Sequence, residues 1–201
     1  MIKISENILS EKIKLPLQIE QDLSLNLLTQ EDAAKLFSLV KQNFDYLKKW
    51  LGRLDTVHSE EDSLNFIYSS RNQFFKSQGA PFGIFHSGTL IGTCGYNSFN
   101  WDQKLTFIGY WLDQGYQGKG MMTKICSILT EIAFNLLGME LVDIRMAPGN
   151  VKSQAIPIRL GFQYIATIKN AEWLYDHYVD HKVYRMTKQL WTQRKRDVSL
   201  D

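Results

Sequence analysis

Cysteine is nearly missing from this chain: two residues, Cys94 and Cys126, stand among 201. Neither belongs to a Cys-x-x-Cys pair or to a metal-ligand spacing, which excludes a disulfide scaffold and a cysteine-built metal centre. Each lies inside an apolar pattern and reads as a buried free thiol. Proline is scarce as well, with four residues scattered along the chain, and no Pro- or Ser-rich linker divides it. No apolar run approaches the roughly 18 residues that span a bilayer, so no membrane partner is expected. Between Met1 and Lys14 charge mixes with isolated Ile and Leu, without a signal-like apolar core, and a cytoplasmic protein is expected. A large charge of one sign is also lacking. The 23 basic and 21 acidic residues leave a formal net charge of +2, too little to point to nucleic acid. The densest basic run, Arg194-Lys195-Arg196, reads as a solvated tail.

What is present is ordinary for a soluble chain, with 44% apolar and 22% charged residues. The length suits a single domain with a substantial core over 1–201. Residues 1–14 are expected as an N-terminal extension and 192–201 as a C-terminal tail. Leu15 to Leu28 reads as extended with a polar break at Gln21-Asp22. Thr29 opens a helix, with Asp32 placed for a capping box. Leu36, Phe37, Val40, Phe44 and Leu47 recur on one helical face. Ser59 starts a second helix, its first turn acidic, and Gly79 is expected to end it. From Pro81 to Leu112 the pattern turns to three strands, with turns at His86-Ser87-Gly88 and Asn100 to Gln103. A helix follows from Met122 to Leu136, then a strand over Val142 to Met146. A short helix from Ser153 ends at Gly161. Last come strands over Phe162 to Ile168 and Val183 to Met186, joined by an aromatic-rich loop. This order predicts a mixed α/β fold, a mostly antiparallel twisted sheet with helices on both faces.

Two segments carry chemistry. In Gly109-Tyr-Trp-Leu-Asp-Gln-Gly-Tyr-Gln-Gly-Lys-Gly-Met-Met-Thr123, a strand enters a Gly-x-Gly turn and a helix follows at once. Gly118 and Gly120 permit unusual φ values and close approach of a ligand to the backbone. Free N–H groups at the helix start favour an anion. The chemistry suggested is a pyrophosphate held by backbone amides, with Gln117, Lys119 and Thr123 nearby. A Walker A loop and the dinucleotide fingerprint are both excluded by spacing. The second segment is Asn150-Val-Lys-Ser153, followed by Ala-Ile-Pro-Ile-Arg-Leu-Gly161-Phe162. Read alone, Ser153 is a helix cap.

Together the segments resemble the GNAT acetyltransferases. Gly-Tyr-Trp-Leu, Gln-Gly-x-Gly, Asn-x-x-Ser and Leu-Gly-Phe resemble the RimL/RimJ branch, which acetylates ribosomal proteins. The early Leu27-Leu-Thr-Gln-Glu-Asp-Ala33 and Lys49-Trp-Leu51 fit it too, and the likeness runs from Thr29 to Trp191. It implies an acetyl-CoA-dependent N-acetyltransferase, in which an amine attacks the thioester directly. The pantetheine arm would pair with backbone around Trp111 and Leu112. The pyrophosphate would lie on residues 115–123, which include Gln117, Gly118, Lys119, Gly120, Met121, Met122 and Thr123. Asn150 would bond the pantetheine, and Ser153 would protonate the departing thiolate. Many family members use a tyrosine four residues before the Gly of Gly-Phe; here that position is Pro157. A homodimer is compatible with the resemblance.

One departure concerns the general base. The branch commonly has a glutamate just before the Ile-Gly-Tyr-Trp-Leu run, and this chain has Phe107. Glu172, Asp176, Asp180, His177 and His181 are the substitutes, each also readable as a solvated loop residue. The aromatic cluster Trp173, Tyr175, His177 and Tyr178 reads as a cleft wall. Phe44 reads as core. A low-pKa acceptor such as a protein or peptide N-terminal α-amine is expected, because it needs little basic help. A small-amine acceptor (polyamine, amino acid or aminoglycoside) and a catalytically weak acyl-CoA-binding protein are the alternatives.

Overall fold

A computed structural model describes residues 7–52 and 54–198. The expected break at Gln21-Asp22 separates β1 (Leu17–Glu20) from β2 (Leu23–Asn26). Thr29 and Asp32 form the expected capping box ahead of α2 (Ala33–Gln42), the first long helix after the short α1 (Ile8–Lys12). The single helix read through Leu47 is instead two. Asn43 interrupts it, its side-chain amide donating to Leu39 O and to Asp113 Oδ2, and α3 (Phe44–Leu47) starts afresh. Phe44 is half-buried rather than core. Ser59 and Asp62 cap α4 (Glu60–Phe75) reciprocally. That helix ends well before Gly79, and Ser77 takes the left-handed conformation (φ +54°).

β3 (Ala80–His86), β4 (Thr89–Asn100) and β5 (Leu105–Leu112) form the expected antiparallel run. Next come α5 (Met121–Asn135), β6 (Leu141–Met146) and α6 (Val151–Leu160). The aromatic-rich loop is not a loop. It is the body of a long hairpin, β7 (Gln163–Leu174) and β8 (His177–Thr187). Register shifts between Tyr164 and Ala166 and between Ile168 and Glu172 break its two-residue alternation, which hides a strand from pattern reading.

The eight strands lie in the order β1-β2-β3-β4-β5-β6-β8-β7. Every neighbouring pair is antiparallel except β5–β6. The fold is therefore mixed α/β, with helices on both faces. On one face, Ile108, Leu112, Val142, Ile144, Tyr184 and Met186 pack with Ile125, Leu129, Ala133 and Phe134 of α5. On the other, Leu36, Leu39, Val40 and Ile67 of α2 and α4 cover Leu90, Phe85 and Trp111. Both cysteines are free and fully buried in the first core, and burial pushes their thiols up.

The basic run near the C-terminus is exposed, as a tail would be, but it is helical. It lies on α7 (Lys188–Val198), which the buried Trp191 fastens to α5 through an indole N–H donated to Glu131 Oε2 at 2.7 Å. At the other end, Leu9 and Ile13 of the expected extension are buried in the same core as the sheet. Residues 1–6 and 199–201, the ends of the two expected tails, lie outside the described residues. Among the described residues no helix is long and apolar enough to cross a membrane.

Candidate active site

β5 and β6 pair from Leu105↔Leu141 to Ile108↔Ile144 and then part. Beyond that point β5 stays paired with β4 as far as Gly92↔Leu112. Its other edge faces a gap. The Asp113 N–H donates to Ile91 O at 2.8 Å. Amide direction alternates along an antiparallel pair, so Trp111 also turns its backbone toward β4. The groups turned to the gap belong to Tyr110 and Leu112. The Leu112 carbonyl accepts from the Tyr46 hydroxyl at 2.7 Å and the Gln117 amide at 3.0 Å. Of the two residues expected here, Leu112 offers backbone and Trp111 packs its indole against the α2/α4 side. Tyr110 is the residue that the sequence reading passed over.

The glycine turn sits at the end of β5. Gly118 and Gly120 both have φ +78°, and a Cβ at either would meet nothing within 4 Å. Those values suit glycine and leave backbone open to solvent. Gly120 is the N-cap of α5 and no side chain caps that helix. The first-turn amides of Met121, Met122 and Thr123 therefore remain available, although the Met122 side chain itself is core. Lys119 lies over the Tyr116 ring at 5.2 Å. Two cations arrive from α6: Lys152 Nζ donates to Gln117 Oε1 at 3.0 Å, and Arg159 Nη1 to Thr123 Oγ1 at 2.8 Å. Their distance from the turn in sequence hid them. The result is a concentration of positive charge and free amides around one turn.

Asn150, not Ser153, caps α6. Its Oδ1 accepts the Ser153 N–H at 3.2 Å. The capping role considered for Ser153 falls away, since serine at the third helical position receives a cap rather than makes one. Ser153 is half-buried and meets Tyr110: the Tyr110 hydroxyl donates to Ser153 O at 3.1 Å. Burial holds the Tyr110 hydroxyl far above its ordinary range, with the Ser153 side chain opposing that rise. Ser153 thus reaches the gap from the α5/α6 face.

Of the substitutes for the missing glutamate, Glu172 and His181 stand on the opposite face, whereas Asp180 shares strand parity with Lys182 and Tyr184, which bond Gln154 of α6. Asp176 pairs with His177 at 2.6 Å on the exposed hairpin tip, and Asp180 pairs with Lys169 at 2.7 Å. Glu172 and His181 are different. Glu172 Oε2 meets His181 Nε2 at 3.1 Å, and Glu172 Oε1 accepts the Gly52 N–H at 3.4 Å. Tyr175 donates to Leu51 O at 2.9 Å. The loop holding Leu51 and Gly52 also holds Trp50, whose ring packs over Gly149, directly before Asn150. One loop therefore touches both the start of α6 and the Glu172–His181 pair. Trp173 and Tyr178 stack edge to face at 4.8 Å, both about half exposed.

A family model for the acetyltransferase (GNAT) domain matches residues 22–163. The chain belongs to this family. It is similar to the Bacillus subtilis protein YdaF, with 28% identity over 89% of this chain and 98% of that one. It is similar to the ribosomal-protein-serine acetyltransferase of Escherichia coli, with 26% identity over 84% of this chain and 94% of the relative. Its fold matches a solved RimL, a ribosomal L7/L12 α-N-protein acetyltransferase in complex with coenzyme A. There the TM-score is 0.82 at 23% identity, over 87% of this chain and 98% of the other. The GNAT chain is an enzyme of the acetyl-CoA-dependent N-acetyltransferase class. The geometry suits that donor. An open strand edge, two glycines with no neighbour at the Cβ position and an uncapped helix start match a long amide-bearing arm that ends in phosphates.

Proposed function

We propose that this enzyme acetylates the α-amine of a protein or peptide N-terminus by direct attack on acetyl-CoA. The observation that carries the proposal is the parting of β5 from β6 after Ile108↔Ile144, with the glycine turn at one end and Asn150–Ser153 beside it. Acetyl-CoA supplies an activated acyl carbon. The gap-facing amides of Tyr110 and Leu112 hold the pantetheine arm and stand where negative charge develops on the carbonyl oxygen. The α5 amides, Lys119 and the cations of α6 hold the phosphates. Ser153 delivers the proton that the leaving thiolate needs. Glu172, buttressed by His181, takes the proton of the incoming amine from the opposite face, directly or through water.

The acceptor class follows from amine chemistry. An α-amine has a pKa of about 7.7–8.0 against about 10.4 for lysine, so roughly a tenth or more is neutral at pH 7. Phe107 offers no base beside the gap, and a low-pKa amine needs least help. Ribosomal-protein acetyltransferases among the relatives support this reading. The test is kcat/KM for matched peptides with either a free N-terminus or only a free lysine. Preference for the N-terminal peptide by about 10²-fold is expected. Equal use of the lysine peptide, or activity confined to polyamines or aminoglycosides, would overturn the assignment.

A further inference from the structure

The position without a base carries a cation instead. The Arg145 guanidinium lies 4.0 Å from the centroid of the Phe107 ring. Arg145 is the first β6 residue past the last β5–β6 pair, and its side chain is 35% exposed. Phe107 and Trp111 share strand parity, so the stack lies on the face opposite Ser153. Beneath it, Asp143 is fully buried and bound by both arms of Arg185, at 2.7 and 2.9 Å. Arg145 makes only a long 3.5 Å contact with the same carboxylate. Asp143 is thus neutralised by Arg185, and Arg145 remains an excess positive charge at the mouth of the gap. Contact with the ring restrains the guanidinium, and apart from the long Nη2 contact to Asp143 its N–H groups make no hydrogen bond among the described residues, which leaves a fork open to a carboxylate.

We infer that Arg145 is a specificity subsite for a carboxylate carried by the acceptor close to its reacting amine. On the proposed N-terminal reading, on which this inference rests, that means a peptide with Asp or Glu in its first few residues. The substrate would bring a carboxylate to the region where this chain has Phe107 and Arg145. A free amino acid offers the same chemistry through its α-carboxylate, and the experiment separates the two sources.

Binding of peptides to the full-length enzyme in the presence of CoA is measured by calorimetry, so that no turnover is needed. The peptides carry Glu or Gln at the second and third positions, and free glutamate is titrated in parallel. The acidic peptide should bind about tenfold tighter, the scale of one charge-assisted hydrogen bond. Arg145→Gln should abolish that difference, and Arg145→Lys should restore only part of it. Arg145 is exposed and Asp143 keeps Arg185, so both variants should fold. Equal binding of acidic and neutral peptides by the wild type, an unchanged difference in Arg145→Gln, or Arg145-dependent binding of free glutamate alone would each overturn the inference. Turnover on the same peptides reports separately on the N-terminal reading. A lysine preference there would sink that reading while the binding difference still decides the subsite.

Discussion

The Tyr110 hydroxyl donates to the Ser153 carbonyl at 3.1 Å, tying the strand on one side of the gap to the helix behind it. This bond fixes where Ser153 stands relative to the edge of β5. Tyr110→Phe keeps the ring and removes the tether. Stability should fall by about 1 kcal/mol, the net worth of one hydrogen bond, and kcat should fall severalfold with little change in KM for acetyl-CoA. Burial holds the Tyr110 hydroxyl protonated far above its ordinary range, so no titration of Tyr110 should appear in the pH profile below pH 10. Unchanged kcat in a destabilised variant would limit Tyr110 to packing.

Ser153 and Asn150 should separate cleanly. Ser153→Ala should lower kcat roughly 10²-fold, the low end for a lost proton donor, with almost no loss of stability because Asn150 makes the cap. Asn150→Ala should cost about 1 kcal/mol in denaturant unfolding. Normal turnover in Ser153→Ala would remove the serine from the chemistry.

Gly120 has φ +78° and open space around its Cβ position. A Cβ at this position meets no protein atom, but Gly120→Val forces a β-branched residue into the left-handed region and puts bulk over the amides. CoA affinity should drop by about 1.5–3 kcal/mol, the worth of a hydrogen bond to a charged group. Unchanged affinity by calorimetry in a folded variant would take the turn out of the donor site.

Glu172→Gln should reduce kcat/KM most at neutral pH. The deficit should shrink above about pH 8, where the α-amine loses its own proton. A constant deficit from pH 6 to 9 would show that Glu172 positions rather than accepts.

Glu131 gives a pH dependence of stability. Its carboxylate is partly desolvated, which opposes ionisation, but bonds from Lys195, Trp191 and Asn135 win and hold it below the usual range. A depressed carboxylate stabilises the fold above its unfolded pKa of about 4.3, and that contribution fades as pH falls through the lower folded value. Acidification should loosen α7 and shift Trp191 fluorescence before global unfolding. Glu131→Gln should show the weaker anchoring already at pH 7 and lose the acid dependence.

Much of this was legible in the sequence where spacing and residue type agree. The capping box at Thr29/Asp32, the helix start at Ser59, the Gly118/Gly120 turn and the run of strands from Pro81 to Leu112 are local, and local patterns report them. The base of the β7–β8 hairpin, Phe162 to Ile168 and Val183 to Met186, was legible, but its distal half was not, because the register shift between Ile168 and Glu172 breaks the alternation there. Helix α7 was illegible because one buried tryptophan anchors an otherwise polar segment. In the site, Tyr110, Lys152, Arg159 and the Glu172–Gly52 contact depend on residues far apart in sequence. Only tertiary packing brings these together. Phe107 was visible as an anomaly, but its meaning needed Arg145.

The short parallel ladder from Leu105↔Leu141 to Ile108↔Ile144 is also the seam between two sets of strands, β1 to β5 and β6 with β8 and β7. A donor lodged in the gap lengthens that seam by contributing polar partners of its own. Occupancy and cohesion then rise together by mass action, by about 2.7 kcal/mol at a hundredfold excess over Kd. Resistance of this enzyme to heat and to proteases would then follow the acetyl-CoA supply.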